Sequence, residues 1–74
     1  MKNINNKIIK ELVEMYQEGV KSVLIAYNKN NNLSIYEPYQ VDYIEKSYQV
    51  GILNLEIYNT YEDIKKEIIY MLES

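Results

Sequence analysis

The stretch Val20-Lys21-Ser22-Val23-Leu24-Ile25-Ala26-Tyr27 limits the possible folds more than any other part of the chain. From Val23 onward it is apolar on both faces of an extended strand, and such a strand is stable only when both faces are covered. It therefore reads as a central strand. The next five residues, Asn28-Lys29-Asn30-Asn31-Asn32, suit a reversal, because Asn tolerates positive φ and its side chain bonds nearby backbone. A second arm begins at Leu33-Ser34-Ile35-Tyr36-Glu37, so residues 20–37 are predicted to form a β-hairpin.

Helical patterns flank this hairpin. Upstream, Ile4, Ile8, Leu12, Met15 and Tyr16 fall on one stripe, widened by Ile9 and Val13, which predicts a helix over about 5–18. Asn3 or Asn5 can cap its start, and Gly19 stands where a helix-ending glycine belongs. Downstream, Thr60 and Asp63 have capping-box spacing, and Ile64, Ile68, Met71 and Leu72 form the stripe of a last helix, with Tyr61 beside it. Between hairpin and last helix, a third strand is expected over about 48–58, with Leu53, Leu55 and Ile57 on one face and Gly51 marking a bulge. Residues 39–48 fit either an alternating strand after Pro38 or a short helical turn started by it. The extended reading, with a turn at Glu45-Lys46-Ser47, is the one favoured.

The predicted order is α-β-β-β-α. This is an α+β fold: one small domain over residues 1–74, a three-stranded antiparallel meander with two helices packed on one face. Val23, Ile25, Leu33, Ile35, Leu53, Leu55 and Ile57 are expected to face the helices. Ser22, Ser34, Tyr36, Ile52, Asn54, Glu56 and Tyr58 are left for the other side.

Composition bears on function chiefly through what is missing. The chain has no Cys, His, Trp, Phe or Arg; its eight cations are all Lys and its nine aromatics all Tyr. No disulfide, thiolate metal site, cysteine nucleophile or imidazole base is available, and no guanidinium fork for phosphate or guanine. A carboxylate pair remains conceivable, but a domain of this size has little room for a substrate cleft. The alternation Asn28, Asn30, Asn32, Ser34 has no leading Asp, no turn Gly and no twelfth-position Glu, so it is no calcium loop. The expectation is a protein that is not an enzyme, with no cofactor and no metal. A net charge of −3 disfavours nucleic acid. With no leader-like or membrane-spanning apolar run, a cytoplasmic location is expected.

Tyrosine remains as a possible functional signal. Ile, Asn, Lys and Tyr all have AT-rich codons, and base composition accounts for much of their abundance. Tyr16, Tyr27, Tyr61 and Tyr70 are expected to be half-buried packing residues. Tyr36, Tyr39, Tyr43, Tyr48 and Tyr58 are harder to fit into a core of Ile and Leu, and they are interleaved with Glu37, Asp42, Glu45 and Glu56. Tyr supplies rigid contact area at protein interfaces, so these nine residues are the predicted partner-binding surface. The partner expected from their charge is a larger, basic protein. In size, acidity and composition the chain resembles phage or mobile-element accessory proteins. That implies an inhibitor of a nucleic-acid-handling host defence protein, such as a CRISPR nuclease. Two other readings stand beside it: a self-associating, homodimeric structural domain, and a binder of a small ligand such as a nucleotide.

Overall fold

A computed structural model describes residues 4–30 and 32–73. Asn3, Asn31 and Ser74, which the sequence reading places in a cap, a turn and a chain end, lie outside the described residues. Helix α1 spans Asn6–Gln17, with Asn5 as its cap: the Asn5 side-chain oxygen accepts from the Lys7 N–H at 2.9 Å. The helix ends in a Schellman motif. Val20 N–H donates to Met15 O and Gly19 N–H to Tyr16 O, both at 3.0 Å, and Gly19 adopts φ 100°. Strand β1 (Ser22–Tyr27) follows at once.

The Asn-rich reversal is organised by one side chain. Asn28 Oδ1 accepts from the N–H groups of Asn30 and Asn32, at 3.0 and 3.1 Å. Strand β2 (Leu33–Tyr36) then returns antiparallel to β1, pairing Ile35 with Ile25 and Leu33 with Tyr27. After Pro38 the chain is not extended. Pro38–Tyr43 is a 3-10 helix, because a proline with fixed φ opens it at the first position. The Gln40 side chain also reaches back to accept from the Glu37 N–H at 2.9 Å. The turn expected at 45–47 is present, closed by Tyr48 N–H to Glu45 O.

Strand β3 (Gln49–Asn54) is shorter than its sequence span. It stops because the Asn54 carbonyl takes the N–H groups of both Ile57 and Tyr58, while the Asn54 side chain takes that of Glu56. Ile57 is thereby turned out to 63% exposure, and Tyr58 packs against the core in its place. Helix α2 (Tyr61–Glu73) starts as predicted, with the Thr60 hydroxyl accepting from the Asp63 N–H at 3.2 Å.

Helix, three antiparallel strands and helix are thus the architecture, in the predicted order. The spatial order of the strands is β2-β1-β3. A meander threaded in sequence order would put β2 in the middle; here the doubly apolar strand β1 is the central one, and β3 pairs on its far side. Both helices share one core with the sheet: Ile9 and Leu12 from α1, Val23, Ile25 and Leu53 from the strands, Leu55 just after β3, and Ile64, Ile68 and Leu72 from α2. Leu33 and Ile35 border it. In α1 the buried stripe is centred on Ile9 and Leu12, which leaves Tyr16 exposed; Tyr70 is exposed too, whereas Tyr27 and Tyr61 pack on the core as expected.

Gly51 is not a bulge. It sits in unbroken register opposite Ile25, on the helix-facing side of β3. A Cβ there would lie 2.8 Å from the sulfur of Met71, so the glycine allows α2 to close onto the sheet.

Candidate functional site

The second face of the sheet is assembled by register. Leu24 opposes Tyr36 and Ile52, and Ala26 opposes Ser34 and Val50, so these six side chains share the face turned away from the helices. Leu24 and Ala26 are buried there. The 3-10 segment also lies against β1. The chain then runs from Tyr43 to Tyr48 beside Ser34 and Tyr36, and these enclose a groove of about 160 Å³ lined by Ser34, Tyr36, Tyr43, Ile44, Glu45 and Tyr48.

This arrangement brings together most, but not all, of the predicted surface. Tyr36, Tyr43, Glu45 and Tyr48 meet around the groove. Glu37, Tyr39 and Asp42 are carried by the 3-10 segment and the residue before it. No residue of that segment is buried: Tyr39 is 76% and Tyr43 74% exposed, and Val41 stands out between them. Glu56 and Tyr58 lie elsewhere. Glu56 borders a separate open hollow of about 480 Å³ with Tyr16, Gln17, Gly19, Val20 and Lys21, at the junction of α1 and β1. Both were assigned to the sheet face on the assumption that β3 continues to residue 58; the Asn54 turn ends that alternation. Strand alternation placed Ser34 on this face without counting it in the candidate surface. Sequence reasoning missed Ile44 and Val41, whose signal is that they are apolar residues in a segment that lacks a buried stripe.

One electrostatic coupling is built into this surface. Glu37 accepts a hydrogen bond from the Tyr39 hydroxyl and its charge opposes a phenolate, so the Tyr39 pKa is raised above the ordinary tyrosine value. A raised folded-state value means that the contribution to stability is complete below the ordinary tyrosine pKa and is lost as pH rises through the folded one. Because Tyr39 is on the surface, the expected readout is titration rather than stability. In an NMR pH series its ring resonances are expected to shift at higher pH than those of a free tyrosine, and Glu37→Gln is expected to move that midpoint down.

Among the described residues no group of three or more acidic side chains is placed to hold a metal ion, and no helix is long and apolar enough to cross a membrane. Comparison with family models, curated proteins and solved structures finds no match to the chain.

Proposed function

We propose that this protein is a non-enzymatic binding module that docks on a larger, basic protein through the 3-10 segment and the groove beside it. The observation that supports this reading is the segment Pro38–Tyr43 itself: it buries none of its own residues and holds Tyr39, Val41 and Tyr43 in solvent. Exposed aromatic side chains on an ordered backbone lose little entropy on binding, which is why Tyr is favoured at interface centres. Glu37, Asp42 and Glu45 surround them with negative charge on a chain of net charge −3, the complement of a basic surface. A nucleic-acid-handling protein presents such a surface. The finer reading is a cytoplasmic phage or mobile-element inhibitor that covers the nucleic-acid site of a host defence protein such as a CRISPR nuclease.

The test is affinity capture from bacterial lysate with the wild-type chain and with a Glu37→Lys, Asp42→Lys, Glu45→Lys triple variant, followed by identification of the captured protein. Wild type is expected to retain a basic nucleic-acid-binding protein, more weakly as salt is raised. The triple variant is expected to bind it at least about tenfold more weakly. Equal capture by the folded triple variant would remove the proposal.

A further inference from the structure

The free edge of β3 has a hydrogen-bonding pattern that can be read from one contact. Leu55 N–H donates to Lys21 O at 2.8 Å, and residues 21 and 55 continue the register in which Val23 faces Leu53 and Ile25 faces Gly51. In an antiparallel ladder alternate residues exchange both backbone bonds with the neighbouring strand, and the residues between them point the other way. Gln49, Gly51 and Leu53 therefore bond to β1, and Val50, Ile52 and Asn54 turn their backbone groups outward. The Asn54 carbonyl is used by Ile57 and Tyr58. The N–H and C=O groups of Val50 and Ile52 have no partner among the described residues.

Natural edges of this kind are usually short, charged or interrupted by proline. The other edge, β2, meets that description: four residues, then Glu37 and Pro38. Strand β3 has six residues, Gln-Val-Gly-Ile-Leu-Asn, without a charge or a proline, and Val50 and Ile52 are 43% and 71% exposed beside the open backbone groups.

We propose that this edge pairs with the β3 of a second copy, antiparallel about a twofold axis through Gly51, to give a continuous six-stranded sheet. In this register Val50 of each copy faces Ile52 of the other. Four backbone hydrogen bonds form, and the four apolar side chains meet on the open face. Charge favours a second copy in this antiparallel orientation. The nearest charges flanking the strand are Lys46 before it and Glu56 after it, so the pairing brings opposite charges together at both ends. The paired residues Val50 and Ile52 neither line the groove nor belong to the 3-10 segment, so the pairing uses none of the side chains proposed for the basic partner. The paired edge is smaller than a standard interface, which makes the dimer concentration-dependent.

Sedimentation equilibrium of the full chain over a wide concentration range tests this, together with NMR of the Val50 and Ile52 amides. The expected result is a monomer–dimer equilibrium in which those two amides shift and exchange more slowly as concentration rises. Ile52→Lys is expected to weaken it by roughly 30-fold, since two largely exposed isoleucines per dimer lose the burial that pairing gives them. Ile52→Pro removes an N–H that the monomer's ladder does not use, so a folded monomer is expected. Both variants are expected to capture the basic partner as wild type does, which separates this proposal from the previous one. A chain that stays monomeric up to millimolar concentration, or a dimer that neither variant weakens, would overturn it.

Discussion

Ile25→Ala is expected to cost about 2–5 kcal/mol, read as a fall in the midpoint of urea unfolding followed by circular dichroism. Ile25 is 1% exposed on the central strand, between β2 and β3 and beneath both helices. Its removal leaves a void bounded by four elements that cannot all move inward together. At about 0.05–0.15 kcal/mol per residue, a chain of 74 residues holds only about 4–11 kcal/mol in total. The variant is therefore expected to be partly or wholly unfolded at 37 °C. Ile57→Ala is the contrasting control. Sequence alternation gave Ile57 the same core assignment, but the turn after Asn54 leaves it exposed, and its truncation is expected to change stability by about 0.5 kcal/mol or less. Equal losses for the two variants would contradict the described end of β3.

The second large effect belongs to Gly51. Gly51→Val places branched carbon where the Met71 sulfur already lies within 2.8 Å of a simple Cβ, and is expected to cost about 1–3 kcal/mol through overpacking. The opposing term is strand propensity, which favours Val over Gly by up to about 1 kcal/mol. Because the clash is with a side chain rather than backbone, it is relieved by shortening that side chain. Met71→Ala alone loses packing, but the double variant Gly51→Val, Met71→Ala is expected to be more stable than the sum of the two single effects predicts. A coupling of about 0.5–3 kcal/mol in this double-mutant cycle is the expected readout. Strict additivity would show that Met71 does not close over Gly51.

These two positions also mark where the sequence was legible and where it was not. The central strand, both helices and their caps could be read directly, because apolar periodicity and capping residues are local signals. Ile25 belongs to that group. Gly51 was recognised as special, but a bulge and a close approach leave the same trace in one sequence, and only the position of Met71 on α2 separates them. Strand order was harder still. Pairing β3 with β1 rather than β2 is a nonlocal choice, although the apolar character of both faces of β1 already called for two neighbours. The segment 39–48 was misread because a proline is compatible with both an edge strand and a helix start. The hydrogen bond from Glu37 N–H to the Gln40 side chain is what favours the helix. The candidate surface was drawn as one set from Tyr36 to Tyr58, and the structure gathers its members from Tyr36 to Tyr48 along the 3-10 segment and the groove. Glu56 and Tyr58 were added by extending an alternation past the residue that ends it.

The shared core of α1 and α2 has a consequence for synthesis. Ile64, Ile68 and Leu72 belong to the same buried cluster as Ile9 and Leu12, so the cluster is incomplete until residue 72 has been made. A nascent chain that has passed only β3 has its central strand, Val23 to Ala26, without one of its two covering helices. Chains grow at about 5–20 residues per second, so α2 follows β3 within a few seconds. During that interval an apolar, uncharged strand is open to chaperones and to neighbouring nascent chains. A chain cut short between residues 54 and 64 would thus leave this core face open, whereas one that reaches residue 73 carries every member of the cluster.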